Sequence, residues 1–215
     1  MNSLYKDANN KDDSLVEQKP KVNLHSVLKA GYGNKKKQEA FAVEHGYIRD
    51  PMSNDNQQIY FHQPSKSLLV NVTGTHNIKD VGTDVALVAG KLQDTKRFKE
   101  AKQAIASAKQ KYGVDTATLT AHSLGGGILQ QGAGGKNDKV IVLDSAMTIG
   151  QKVNPKQTIY RSSGDIVSIA GAGNKNVKTI QGKQKLGGGL GITGKIRNTL
   201  EAHKIDNIKD KNIFI

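Results

Sequence analysis

The run Thr120-Ala121-His122-Ser123-Leu124-Gly125-Gly126-Gly127 constrains this chain more than any other stretch. It lies between a short β-type run, Ala117-Thr118-Leu119-Thr120, and a segment able to continue as helix, Ile128-Leu129-Gln130-Gln131. Strand, small-x-Ser-x-Gly, helix is the layout that holds a serine on a sharp turn with its hydroxyl beyond the sheet edge. The flanking residues are small because the backbone and the following helix pass so close that a larger side chain would collide. Ala121 stands where glycine is usual, and a single methyl is the smallest departure available. A glycine-rich turn with an ordinary serine has the same local pattern, so the rest of the chain has to separate the two readings.

An activated serine needs a base, and the base needs a group that fixes its tautomer and stabilises its charged form. Downstream of Ser123, the apolar run Ile159-Tyr160-Arg161 leads into a turn, Ser162-Ser163-Gly164-Asp165, that carries a carboxylate. Beyond Asp165 a single histidine remains, His203, in Glu201-Ala202-His203-Lys204-Ile205. Ser123, Asp165 and His203 are thus the candidate nucleophile, orienting acid and base. His122 is expected to point away from its neighbour across the tight turn. His25, His45, His62 and His76 all precede the serine.

These motifs resemble those of the class 3 lipases, a branch of the α/β-hydrolases, in which the chain order is serine, acid, histidine. His122-Ser123-Leu124-Gly125-Gly126 is similar to that family's elbow, Gly164-Asp165-Ile166-Val167 to its acid motif, and Ala202-His203 with Ile205 to its histidine motif. Upstream, Leu68-Leu69-Val70-Asn71-Val72-Thr73-Gly74-Thr75, followed by Asp80 and Asp84, resembles the strand that leads into the lid helix. The likeness spans residues 28 to 208. It implies an oxyanion hole made by the N–H of Leu124 and by Thr75, supported by Gly74, Gly125 and a brace from Asp84. Two departures stand out: Thr73 replaces the usual arginine, removing that arginine's brace, and Val81 replaces the frequent lid tryptophan. The implied activity is hydrolysis of a lipid ester, as by a lipase or phospholipase, through an acyl-enzyme on Ser123. The brevity of the chain and Tyr160-Arg161…Asp165-Ile166-Val167-Ser168 also resemble small lipase-like proteins of large DNA viruses and phages, which implies a virion association. The rival class is a non-enzymatic structural or membrane-binding protein that kept the hydrolase fold. An intact Ser-Asp-His order with an oxyanion segment argues against that rival.

The remaining composition narrows the setting. A chain of 215 residues fits one α/β core and is short for two domains. A polar arm over residues 1–22 and a single domain over 23–215 are expected, with little room for a cap domain. With no cysteine there are no disulfides. The first residues lack the apolar core of a secretory signal, so cytoplasmic synthesis is expected, and no apolar run approaches the ~18 residues of a membrane span. Histidine pairs and cysteine clusters with metal spacing are missing, so neither metal nor cofactor is expected. Gly189-Leu190-Gly191-Ile192-Thr193-Gly194-Lys195-Ile196 has the spacing of a phosphate-binding loop, but Ile196 stands where Ser or Thr must hold magnesium. Asn71-Val72-Thr73 matches a glycosylation sequon but falls in an expected buried strand.

Net charge is +13. Lysines cluster at Lys35-Lys36-Lys37, Lys96-Arg97 with Lys99, Lys109 with Lys111, Lys175 with Lys178, and Lys183 with Lys185. Such a field attracts anionic membrane surfaces. Without basic-aromatic alternation no specific nucleic-acid partner is expected.

Local patterns predict a compact α/β-hydrolase fold, a mostly parallel sheet flanked by helices. Asn34 is expected to cap a helix over Lys35–His45. Gln58–Phe61 and Ser67–Thr73 read as a hairpin with Pro64 in the turn. Asn77–Gly90 reads as helix. Over Asp94–Tyr112 the stripe Phe98, Ala101, Ile105, Ala108 and Tyr112 predicts a helix capped by Asp94 and stopped by Gly113. Lys139–Leu143 reads as a buried central strand, and Gln157–Arg161 as the strand delivering Asp165. Val177–Ile180 is a short strand within the glycine-rich stretch Gly171–Gly194, which is either a lid near the site or a closely packed loop.

Overall fold

A computed structural model describes residues 18–76, 91–147, 151–165, 167–182, 203–208 and 212–215. Among them, strands pair in chain order into one sheet: β1 (Ile48–Arg49), β2 (Gln57–His62), β3 (Ser67–Val72), β4 (Thr118–His122), β5 (Lys139–Leu143), β6 (Thr158–Ser162) and β7 (Val177–Ile180). β1, β2 and β3 are antiparallel neighbours; from β3 to β7 every pairing is parallel. The expected hairpin is β2–β3, in register from Gln57 opposite Val72 to His62 opposite Ser67. This is a compact α/β-hydrolase-like fold, a mostly parallel sheet with helices on both faces.

Period-two alternation builds both faces of the sheet. Leu68, Val70 and Val72 of β3 and Val140 and Val142 of β5 pack into one cluster with Phe98, Ala101, Ile105 and Ala108. Those four residues are the buried stripe of helix α3 (Lys96–Tyr112). Leu69, Ile141 and Leu143 face the other way. There they meet Leu24, Val27 and Leu28 of α1 (Leu24–Gly31) and Phe41 of α2 (Lys35–Glu44). Each fully buried Leu or Ile on these faces contributes about 1.5–3 kcal/mol relative to exposure.

The helix ends follow their capping chemistry. Asn34 caps α2, its side chain accepting from the Lys37 N–H. Asp94 does not cap α3. A 3-10 turn over Leu92–Asp94 comes first, placing Thr95 at the cap, where its hydroxyl accepts from the Phe98 N–H and donates to the Leu92 carbonyl. Gly113 stops α3 in the left-handed conformation at φ 62°. The helix after the serine is shorter than its sequence suggests. α4 (Leu124–Ile128) gives way to a π-type turn, Leu129–Ala133, containing Gly132 at φ 95°.

Of the stretch expected as a polar arm, residues 18–22 are described. Lys19 Nζ donates to Thr118 Oγ1 at 2.5 Å, and Val22 is buried, its carbonyl accepting from the Ile215 N–H. Asn71 of the sequon is wholly buried, its amide donating to Gln58 Oε1 at 2.7 Å, which leaves no access for a glycan. The helix expected over Asn77–Gly90, with Asp80, Val81 and Asp84, lies outside the described residues, as do Gly189–Ile196 and the second half of the glycine-rich stretch, residues 183–194.

Candidate active site

The parallel strands deliver their loops to one end of the sheet, where open α/β sheets bind ligands. β4 ends at His122 and the chain turns at Ser123, whose backbone sits at φ 57°, ψ −128°. A non-glycine residue there is strained and persists only where its surroundings fix it. Here the Ser123 N–H donates to the Leu143 carbonyl, and the Ser123 carbonyl accepts from the N–H groups of Gly126, Gly127 and Ala146. The glycines after the serine are sterically required. A Cβ on Gly125 would stand 2.1 Å from the Val72 carbonyl oxygen, and one on Gly126 2.7 Å from Ser145 Oγ.

Asp165 follows β6 and meets His203 across the site, Oδ1 to Nδ1 at 2.9 Å, with both residues buried. Asp165 is held from its other side. Oδ2 accepts from the Ser168 N–H at 2.9 Å and the Ser168 hydroxyl at 2.5 Å, while Oδ1 also accepts from the Val167 N–H. Arg161 donates to the Asp165 and Ser168 carbonyls and pins the loop. Since the carboxylate only accepts, Nδ1 of His203 carries the proton toward it. The Nε2 lone pair of the neutral ring is then free to act as a base. Among the described residues, neither Nε2 of His203 nor Oγ of Ser123 has a hydrogen-bond partner, although both are buried. The direct Ser123–His203 hydrogen bond expected of a resting triad is therefore not formed; such contacts often tighten only around a substrate.

Burial alone would push the His203 imidazole below its ordinary value. The hydrogen bond and charge of Asp165, with the charge of Asp144 behind it, outweigh that and raise it. For Asp165 burial favours the neutral acid, but bonds from His203 and Ser168 hold its pKa below the usual range.

Ser123, His203, Thr75, His76, His122 and Tyr32 line one cavity of about 190 Å³, with Lys29, Lys204 and Asp206 at its edge. Thr75 thus reaches the same space as the serine, as the oxyanion assignment requires, while Gly74 packs under it. A Cβ on Gly74 would lie 2.6 Å from Tyr32 Oη and 2.7 Å from Ser123 Cβ. Leu124 N–H stands at the start of α4 beside Ser123. Asp84 lies outside the described residues, but an arginine from elsewhere in the chain holds this segment. Arg97 of α3 donates to the Thr73 carbonyl at 2.8 Å and to the Gly74 carbonyl at 3.3 Å.

Two further residues, Tyr32 and His122, were given no role in the site from sequence. His122 Nε2 is 3.0 Å from the His203 carbonyl, and His122 Nδ1 is 2.9 Å from Tyr32 Oη. A carbonyl can only accept, so Nε2 bears the hydrogen and Nδ1 accepts from the tyrosine. Tyr32 Oη in turn accepts from the Gly74 N–H at 2.8 Å. Burial first, then the neighbouring His203, pushes His122 down to about 3, which keeps it neutral in this relay. Both ring nitrogens of His122 are engaged away from Ser123, so it is not the base. Its place within the elbow motif was the only signal that could have marked it.

Among the described residues, the named lysine clusters do not line this cavity, and Lys183 and Lys185 lie outside the described residues. Lys109 pairs with Asp138, Lys111 with Asp50, Lys35 with Glu39 and Lys96 with Glu100, while at the cavity edge Lys29 pairs with Asp206 at 2.8 Å. Among the described residues no cluster of ligating side chains could hold a metal ion, and no helix is long and apolar enough to cross a membrane.

No family model and no curated protein sequence matches the chain. Solved structures do. Lip2 lipase from Yarrowia lipolytica is 17% identical over 66% of this chain and 66% of its own, with a TM-score of 0.42. The Rhizomucor miehei lipase propeptide complex, as a deletion mutant, is 12% identical over 74% of this chain and 65% of its own, with a TM-score of 0.48. The chain thus spans just under two thirds of the length of these lipases.

Proposed function

We propose that this protein is a serine ester hydrolase acting on lipid esters. The observation that carries the reading is a buried carboxylate–imidazole pair, Asp165–His203, whose free Nε2 opens on the same cavity as a serine held on a strained elbow. In the proposed reaction His203 Nε2 takes the Ser123 proton as Oγ attacks the ester carbonyl, forming a tetrahedral oxyanion. Leu124 N–H and Thr75 would stabilise that charge, each such donor being worth about 2.7–4 kcal/mol of barrier. His203 then protonates the leaving alcohol, an acyl-Ser123 ester remains, and water activated by His203 releases the acid. Asp165 holds the tautomer and stabilises the imidazolium throughout.

The lipid character of the substrate is supported by the motif resemblance and by the lipases to which the chain is similar in structure. The positive charge favours anionic phospholipids over neutral triacylglycerols.

The test is labelling by a fluorophosphonate probe, with the modified peptide identified by mass spectrometry. Wild type is expected to be labelled at Ser123, and Ser123→Ala to lose both labelling and turnover of p-nitrophenyl esters while keeping its thermal stability. A Ser123→Ala protein that kept more than a few per cent of turnover would overturn the assignment.

A further inference from the structure

The acid side of the site contains a second carboxylate that the mechanism above does not use. Asp144 follows β5 as Asp165 follows β6, and because these strands are parallel neighbours both carboxylates arrive at one end of the sheet. Asp144 is completely buried. It accepts from the Ser162 N–H at 2.6 Å and from the Ser162 hydroxyl at 2.7 Å. Its backbone is at φ 45°, a conformation a non-glycine residue seldom adopts, and its N–H is tied to the Tyr160 carbonyl at 2.9 Å. Strain of this kind is retained where the position of a side chain matters.

Ser168 joins the two acids. Its hydroxyl lies 2.5 Å from Asp165 Oδ2 and 3.3 Å from Asp144 Oδ1. One hydroxyl has one hydrogen, and the nearer acceptor is Asp165. Toward Asp144 the same oxygen presents lone pairs, so a good contact there needs a proton on Asp144. The chain Asp144 O–H to Ser168 O–H to Asp165 Oδ2 gives each hydroxyl hydrogen an acceptor, with Asp144 Oδ1 also taking the Ser162 N–H. With Asp144 ionised, the contact is oxygen against oxygen, and two buried negative charges stand behind one imidazole.

We propose that Asp144 is a positioning residue of the site: joined to Asp165 through the Ser168 hydroxyl, it turns Asp165 Oδ1 toward His203 and, when ionised, adds a second negative charge behind the imidazolium. This deepens the hydrolase reading and rests on it for its catalytic consequence. Among the described residues, the other charged or titratable groups facing the pair are His203 and Arg161, with His122 against the His203 ring at 4.6 Å and Lys204 and Asp206 on the segment beyond. Burial, then the charge of Asp165, raises Asp144 to about 6, so the proton is held below that pH and the carboxyl is charged where His203, raised above its ordinary value, titrates.

The test is a pH titration of the His203 ring by nitrogen-detected NMR, in wild type and in Asp144→Asn. Asparagine keeps the shape, and its oxygen can keep the bond from the Ser162 N–H, but it can never carry charge. The His203 midpoint is expected to fall by about half a pH unit or more in the variant, since a charge favouring the imidazolium has been removed. The acidic limb of kcat/KM should move down by the same amount. An unmoved midpoint in a folded variant would overturn the proposal. If Asp144→Asn does not fold, wild type still decides. The Asp144 carboxyl carbon should titrate above the ordinary carboxylate range, with His203 sensing the same step; titration in the ordinary range with no such step would refute the coupling. Fluorophosphonate labelling run in parallel separates the two claims. A labelled protein with an unmoved His203 sinks only the role of Asp144, and an unlabelled protein with a shifted His203 sinks only the hydrolase reading.

Discussion

Tyr32 and His122 are joined by a 2.9 Å hydrogen bond across ninety residues of chain, and through that bond the two sides of the site hold each other in place. The Gly74 N–H, on the oxyanion side, donates to Tyr32. The His122 ring, on the elbow, donates to the His203 carbonyl on the base side. Burial raises the tyrosine hydroxyl well above its usual range, so it stays a neutral donor throughout the working pH range.

Tyr32→Phe should therefore disturb the proposed activity without touching Ser123, Asp165 or His203. It removes the donor to His122 and leaves the buried Gly74 N–H without an acceptor, at a cost of about 1–3 kcal/mol. Turnover is expected to fall about tenfold through kcat, because both the oxyanion segment and the His203 backbone lose a tether. Steady-state kinetics on a soluble ester checks this, and unchanged kcat would show that the relay is not part of the working geometry.

How much of this was legible in the sequence depended on how local the determining contacts are. The hairpin, β5, β7 and the buried stripe of α3 were readable because alternation and 3.6-residue periodicity lie within each segment. The cap of α3 was misplaced by one residue because an unforeseen 3-10 turn absorbs Asp94 and offers Thr95 instead. Ser123, Asp165 and His203 stood out because their chemistry and order are distinctive. Tyr32, Arg97 and Asp144 did not, because each acts only through partners brought in from distant segments. Asp144 in particular sits at the end of an apolar strand, where an aspartate reads as a turn residue.

Gly125→Ala tests the closeness of the elbow to the oxyanion strand. The added methyl would meet the Val72 carbonyl oxygen at 2.1 Å and the Thr73 carbonyl oxygen at 2.7 Å. Arg97 holds the second of these, so the backbone cannot easily give. A loss of about 1–3 kcal/mol or more is expected from overpacking. In a chain of this size each kcal/mol lowers the melting temperature by about 2–4 °C. Calorimetry on the variant should find that drop together with lost ester turnover; a fully active, equally stable variant would mean the site has more room than the geometry allows.

The pH profile follows from His203. As the proposed base it must be neutral to act, and its pKa is raised above the ordinary histidine value because Asp165 and Asp144 outweigh the effect of burial. The kcat/KM for an uncharged ester should accordingly fall on acidification as one group protonates, with a midpoint above ~6.5. The same shift acts oppositely on stability. The Asp165–His203 pair contributes fully below the unfolded histidine value, and this part is lost as pH rises through the folded one. His122 runs the other way. Depressed to about 3, it costs stability as pH falls from ~6.5 toward that value, because the unfolded chain binds a proton the folded one refuses. Urea unfolding from pH 4 to 9 in wild type and His122→Gln should isolate this acid-side loss, which the variant is expected to lack.

Lys35, Lys36 and Lys37 occupy the first turn of α2, beginning three residues beyond Tyr32. Positive charge at a helix N-terminus opposes the helix dipole and costs about 0.3–1 kcal/mol per residue. Only Lys35 of the three has an acidic partner among the described residues, Glu39 at 3.7 Å. Glutamate at positions 36 and 37 should therefore leave the fold intact or slightly stabilise it, so a functional loss cannot be ascribed to unfolding. If these lysines draw the protein to anionic bilayers, each is worth about 1 kcal/mol close to the surface, screened over roughly 8 Å at physiological salt. The Lys36→Glu/Lys37→Glu double variant is expected to bind phosphatidylglycerol vesicles at least tenfold more weakly than wild type and with a shallower salt dependence. Its turnover of a soluble short-chain ester should be unchanged, since neither residue reaches the cavity. Equal vesicle binding by the two proteins would show that the charge on this helix is only a solvated surface, and the preference for anionic phospholipid would lose its physical basis.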